Sequence, residues 1–174
     1  MRIDNLQSAE VVSGMGEDRT VLIVWHSRTG ASKQMAQAAA SHDNARLIKS
    51  RDVTADHFLA ASAYLFVCPE NLASMSGEMK EMFDRNYYPV LGKIEGRAYA
   101  TIIAAGSDGT GAQKQIDRIA TGWRLKRVAD QMIVNFSAQT SEEILKKKTI
   151  TSETASDCQQ LGLSICEGIA LGVF

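Results

Sequence analysis

Thr20-Val21-Leu22-Ile23-Val24-Trp25-His26-Ser27-Arg28-Thr29-Gly30-Ala31-Ser32, running on into Lys33-Gln34-Met35-Ala36-Gln37-Ala38-Ala39-Ala40, is the stretch that decides the fold. An apolar run of strand length, a hydroxyl-rich turn with one glycine and a segment of helix formers predict strand, turn and helix in succession. The first four N–H groups of a helix lack intrahelical partners and carry the positive end of its dipole, so the turn and helix start together suit an anion, above all a phosphate. Ser27, Thr29 and Ser32 add hydroxyl donors, and Gly30 lets the backbone approach an oxygen with no Cβ in the way. No Gly-x-x-x-x-Gly-Lys-Ser/Thr run and no Gly-x-Gly-x-x-Gly occurs, which favours a monophosphate over a triphosphate or pyrophosphate. A plain Ser/Thr cap on an ordinary strand-to-helix turn is the other reading of the same residues.

Outward from this stretch, strands and helices alternate with short connections. Ala45–Lys49 reads as a second strand, and Thr54 caps a short helix through Leu59. Residues 61–67 form an apolar run without alternation, hence a strand buried on both faces, ending at Cys68-Pro69. A helix over 76–87 turns Met79, Met82 and Phe83 inward, with Pro89 just past its end. A fourth strand spans 97–105, a helix runs from Gly111 to about Leu125, a last strand covers 127–136, and a final helix covers 152–171. This βα alternation requires a parallel sheet with helices on both faces.

Composition limits the alternatives. The chain has 174 residues, 45% of them hydrophobic, with 19 basic against 20 acidic side chains. That is one ordinary domain with no charge excess to draw it to nucleic acid or an anionic membrane, and no apolar run of membrane-spanning length. Residues 1–19 read as an N-terminal extension without signal-peptide character, and 20–174 as the domain. Cys68, Cys158 and Cys166 form no Cys-x-x-Cys pair and no zinc spacing, and so sparse a set suits a reducing cytoplasm. Lys146-Lys147-Lys148 reads as a solvated loop.

In a doubly wound sheet, ligands bind beyond the carboxyl ends of the strands where strand order reverses. Three unusual turns fall there: 26–32, 69–76 and 106–111. With order 2-1-3-4-5, the first two flank the crevice; one holds phosphate, and the other two suit a flat ring. A phospho-receiver is excluded because Cys68-Pro69 stands where its aspartate belongs. A low-molecular-weight phosphatase is excluded because the first turn lacks a cysteine.

Ile23 to Ser32, with Ala36, resembles the phosphate-binding signature of the flavodoxin-like family: an aliphatic pair, an aromatic, a hydroxyl residue, a small residue and a second hydroxyl at these intervals. The run Pro69-Glu70-Asn71-Leu72-Ala73-Ser74-Met75-Ser76-Gly77-Glu78-Met79-Lys80-Glu81-Met82-Phe83-Asp84-Arg85 is similar to the second flavin loop and following helix of NAD(P)H-dependent FMN reductases and related quinone reductases. Trp25 replaces the usual Phe or Tyr, Ser32 the usual Thr, and Leu72-Ala73 a frequent aromatic and glycine. The resemblance implies a flavodoxin-like α/β fold, a doubly wound five-stranded parallel sheet of order 2-1-3-4-5. It implies that Ser27, Arg28, Thr29, Gly30, Ala31 and Ser32 hold the phosphate of FMN. Pro69, Glu70, Asn71 and Leu72 would border the isoalloxazine, and Gly106, Ser107, Asp108 and Gly109 would close its other side.

Several residues keep two readings. Asp108 either lines the ring or serves its own turn before Gly109. Tyr87, Tyr88 and Trp123 either stack near the crevice or pack half-buried. His26 either supplies a proton or is structural. The implied function is an FMN-binding oxidoreductase with no side-chain nucleophile and no metal, taking electrons from NAD(P)H to a quinone-like acceptor and pairing with copies of itself. The alternatives are a flavodoxin-type electron carrier and a flavin-free binding module.

Overall fold

The computed structural model describes residues 19–174, so the extension expected over 1–19 lies outside the described residues except for Arg19. The Arg19 guanidinium donates to the carbonyls of Ile169 (3.1 Å) and Ala170, tying the entry to the sheet onto the last helix.

The elements are β1 (Val21–Trp25), α1 (Ala31–Ala39), β2 (Ala45–Lys49), α2 (Ala55–Ala60), β3 (Ala63–Asn71), β4 (Ser74–Met75) and α3 (Gly77–Val90). They continue with β5 (Ala98–Ala105), α4 (Thr110–Gly122), β6 (Lys126–Arg127), β7 (Met132–Asn135), α5 (Ser141–Leu145) and α6 (Ser152–Leu171). The parallel sheet runs β2-β1-β3-β5-β6, with β7 also pairing β5 and the short β4 folding back antiparallel on β3. Strand order therefore reverses between β1 and β3. Their register, with Trp25 opposite Val67, brings the turns after β1 and β3 to one edge.

Alternate residues of the buried strands serve two cores. Leu22, Val24, Tyr64 and Phe66 face α2, α3 and α4, where Phe58, Met79, Met82, Phe83, Ile116 and Trp123 pack. Val21, Ile23, Leu65 and Val67 face α1 and α6, against Met35, Ala36, Cys158 and Ile165. Coverage of both faces explains the unbroken apolar runs of β1, β3 and β5. Close approach of α6 to α1 depends on Gly162, where a Cβ would lie 1.9 Å from the Ala39 carbonyl oxygen.

Four boundaries differ from expectation. The last strand is two short pieces interrupted over 128–131, both paired with β5. β3 continues through Pro69-Glu70-Asn71, so the turn after it is Leu72-Ala73, two consecutive left-handed residues (φ 52° and 57°) of a tight hairpin. Pro89 lies inside the last turn of α3 rather than beyond it, and α4 stops at Gly122. Trp123 is buried in the core, 5.0 Å from the Phe58 ring and 5.4 Å from that of Phe83; Tyr87 stacks on it at 5.7 Å, and Tyr88 is exposed. Trp123 and Tyr87 thus build core rather than a crevice wall.

Candidate functional site

The turn after β1 is built from its own atoms. Gly30 takes φ +100°, a conformation that disfavours side chains, and its N–H donates to Ser27 Oγ at 3.0 Å. This closes the turn and leaves α1 starting with no side-chain cap. Ala31 and Ser32, the first two residues of the helix, are buried. Ser32 is 1% exposed, and its Oγ alone among the buried side-chain N and O atoms of the described residues has no hydrogen-bond partner. A buried hydroxyl without a partner costs free energy, and here it stands in the first turn of an uncapped helix. Arg28 is exposed at the tip of the turn.

The second and third turns are welded to each other. Glu70 reaches from the end of β3 to α4, where Oε1 accepts from the Gly109 N–H (2.8 Å) and Oε2 from the Ala112 N–H (3.0 Å). The carboxylate thus caps a helix N-terminus and neutralises its dipole. Gln115 Oε1 accepts from Ser74 Oγ (3.0 Å) and the Met75 N–H (2.9 Å), fixing the hairpin to α4. A Cβ at Gly111 would come within 2.1 Å of the Ala73 carbonyl oxygen. Asp108 serves its own turn, accepting from Thr110 Oγ1 at 2.7 Å, and Asn135 donates to the Ser107 carbonyl. Pro69 and Asn71 are half-buried, and Leu72 is fully exposed at the hairpin tip.

A strap that sequence patterns leave as plain loop crosses the crevice. The Ala138 N–H donates to the Gly106 carbonyl and the Lys148 N–H to the Thr29 carbonyl, each at 2.8 Å. Gln34 clasps the strap, its Nε2 donating to Lys148 O (2.9 Å) and Gly30 O (3.0 Å) while Oε1 accepts from the Ile150 N–H (3.3 Å). Lys148 is therefore not merely solvated, since its Nζ also caps the carbonyls of α5. The only early sign of α5 is Thr140-x-x-Glu143, which forms a reciprocal capping box. Phe136, Ala138, Ile144 and Lys148 reduce the space between the first turn, Pro69–Asn71 and Gly106 to about 60 Å³.

Two larger spaces also border Arg28. One, about 670 Å³, is bordered by Asn71, Leu72, Ser74, Met75 and Gly77; the other, about 420 Å³, is bordered by Ser27 and Gly30 of the turn after β1 together with Trp25, His26, Lys33, Lys49 and Arg51. Arg28, Arg51 and Glu78 line both. His26 Nδ1 is 2.9 Å from Ser76 Oγ, and Nε2 is 3.4 Å from Glu78 Oε1. Burial holds the imidazole below its ordinary pKa of 6.5, with Arg28 acting in the same sense and Glu78 against it. With Nε2–H toward Glu78, Nδ1 accepts the Ser76 hydroxyl proton, so neutral His26 is fully partnered.

Cys68, Cys158 and Cys166 are free and buried, and desolvation raises the Cys68 thiol to about 12. Such a thiol is not a nucleophile at neutral pH. No group of three or more His, Cys, Asp or Glu suited to a metal exists among the described residues. No helix among them is long and apolar enough to cross a membrane.

This arrangement defines a flavodoxin-like α/β fold: a doubly wound parallel sheet, a hydroxyl-rich turn at its first strand and, at the β1/β3 reversal, an edge where the turns after both strands meet. No family model matches the chain. It is similar to the flavodoxin of Aquifex aeolicus (strain VF5), 25% identical over 166 residues, 88% of each chain. Among solved structures, a flavodoxin from the domain Archaea superposes with TM-score 0.69 at 18% identity over 87% of this chain and 99% of that one. An NADPH-quinone reductase from P. pentosaceus superposes with TM-score 0.60 at 12% identity over 82% and 97%.

The phosphate end of a flavin mononucleotide fits what is present: the unpartnered Ser32 hydroxyl, the uncapped α1 and the glycine turn. Its ring does not fit the 60 Å³ left under the strap, because ring-sized ligands occupy several hundred Å³. The hollow beside the hairpin has that room.

Proposed function

We propose that the protein is an FMN-binding oxidoreductase that takes electrons from NAD(P)H and delivers them to a quinone-like acceptor. The observation that carries the reading is the buried, unpartnered Ser32 hydroxyl in the first turn of α1. The bound cofactor supplies the hydride and electron chemistry; the protein binds, orients and shields.

In this reading, Ser27, Thr29, Gly30, Ala31 and Ser32 hold the phosphate through amides and hydroxyls, and Arg28 adds charge at the rim. The ring lies along the hairpin edge by Asn71 and Leu72, where the hollow has room, because only about 60 Å³ is left between the first turn, Pro69–Asn71 and Gly106. Glu70, Gly106, Ser107, Asp108 and Gly109 then support the ring's loops from behind. Exposure of Leu72 leaves the outer face of the ring for a flat acceptor or for a second copy of the chain. Paired copies and a cytoplasmic location belong to the same proposal.

An electron carrier exchanging single electrons with protein partners is the second reading, favoured by the likeness to the Aquifex flavodoxin. A net charge of −1 gives a carrier little steering toward a charged partner. Steady-state NADH and NADPH oxidation by FMN-loaded protein with added quinone separates the two. Turnover supports the reductase; flavin retained without turnover supports the carrier; no retained flavin overturns both.

A further inference from the structure

The strap over 137–149 buries little of itself. Ala138 is its only buried residue, and α5 within it has none. A long connection with so little buried apolar surface opens at far lower cost than the sheet beneath it. Ser137, where the strap leaves β7, stands at φ 51°, in the left-handed region that a side chain disfavours. Gly106 gives the strap its seat, since a Cβ there would lie 3.1 Å from the Ala138 carbonyl oxygen.

The far end of the strap is bonded to the turn after β1. The Thr29 carbonyl accepts the Lys148 N–H at 2.8 Å, and the Gly30 carbonyl accepts Gln34 Nε2 at 3.0 Å, the same amide group that donates to the Lys148 carbonyl. A planar trans peptide points its C=O and N–H in opposite directions. Holding these two carbonyls therefore sets the Gly30 and Ala31 N–H groups. The first closes the turn on Ser27 Oγ, and the second lies in the first turn of α1, where amides lack intrahelical acceptors.

We propose that the strap is a lid coupled to anion binding at this turn, with Gln34 as the positioning residue that transmits the coupling. Closure orients the Thr29–Gly30 and Gly30–Ala31 peptides for a phosphate, and a phosphate held there keeps the strap shut. The coupling is reciprocal, so each event favours the other by the same factor. Naming the anion as the FMN phosphate rests on the flavin reading; a lid linked to this turn does not.

Amide hydrogen exchange of the full chain tests it. In the unliganded protein the Ala138 and Lys148 amides should open together, with protection at least a hundredfold below that of Leu65 and Val67 in β3. Saturating FMN should slow both at least fivefold, and riboflavin, which lacks the phosphate, should not. Gln34→Ala should speed both at least tenfold, leave the β3 amides within twofold and weaken FMN at least threefold with riboflavin affinity unchanged. Gln34→Met, similar in length and without a hydrogen-bonding amide, replaces it if it fails to fold. Strap amides as protected as those of β3 overturn the proposal, as does bound FMN that leaves their exchange unchanged or riboflavin that slows them as much. A protein that binds no FMN refutes the flavin reading, and inorganic phosphate, against chloride at equal ionic strength, then takes its place in the same measurement. Slowed strap exchange in phosphate upholds the lid, and unchanged exchange overturns it.

Discussion

Ser32 and His26 carry the residue-scale consequences. Deleting a buried, unpartnered hydroxyl removes a desolvation cost, so Ser32→Ala should leave the unliganded protein as stable or more stable by about 1 kcal/mol. The same change should weaken FMN at least fivefold. Urea unfolding and flavin titration on one preparation read both, and a destabilised variant with normal FMN affinity contradicts the assignment. His26 has a folded pKa below its unfolded value of 6.5, so the unfolded chain binds more protons as pH falls through that range. Its contribution is whole above pH 6.5 and is lost as pH falls through the folded pKa. Stability measured from pH 7.5 to 5 should therefore decline, and His26→Gln should flatten the decline. An identical slope in the variant assigns the loss to other groups.

At the scale of elements, the Glu70 bridge holds the hairpin and α4 together. Glu70→Ala leaves the Gly109 and Ala112 amides without acceptors and should cost about 1–3 kcal/mol in urea unfolding. No local pattern announces this bridge, because its partners lie 39 and 42 residues away. The family resemblance puts Glu70 beside the ring, and in the fold its carboxylate also caps α4. What local chemistry dictates was legible: the apolar runs of β1 and β5, the Thr54 cap of α2 and the limits of α6. What non-local contact decides was not. β3 runs on to Asn71 because β4 pairs with it, and the short α5 has no buried residue to give it a periodic pattern. The strap is held by Gln34, whose two amide atoms reach across 114 and 116 residues. Gln34→Ala should free it, raising protease sensitivity over 139–149; an unchanged cleavage pattern means the strap is held elsewhere.

For the molecule as a whole, the sheet order, the two cores and the edge at the β1/β3 reversal all follow from one pattern, doubly buried strands alternating with helices. The hydroxyl-rich turn after β1 was legible because its residues are contiguous in the chain; which turns close on each other was not, because that depends on contacts between distant residues. A ligand bound only by the folded state stabilises it by mass action. FMN at a hundredfold excess over its dissociation constant should add about 2.7 kcal/mol. The central claim is that the turn after β1 grips the phosphate. Direct titration with FMN and with riboflavin tests it: FMN should bind at least tenfold tighter, an advantage largely lost in Ser32→Ala. Equal affinities for the two flavins, or no binding of either, would contradict it.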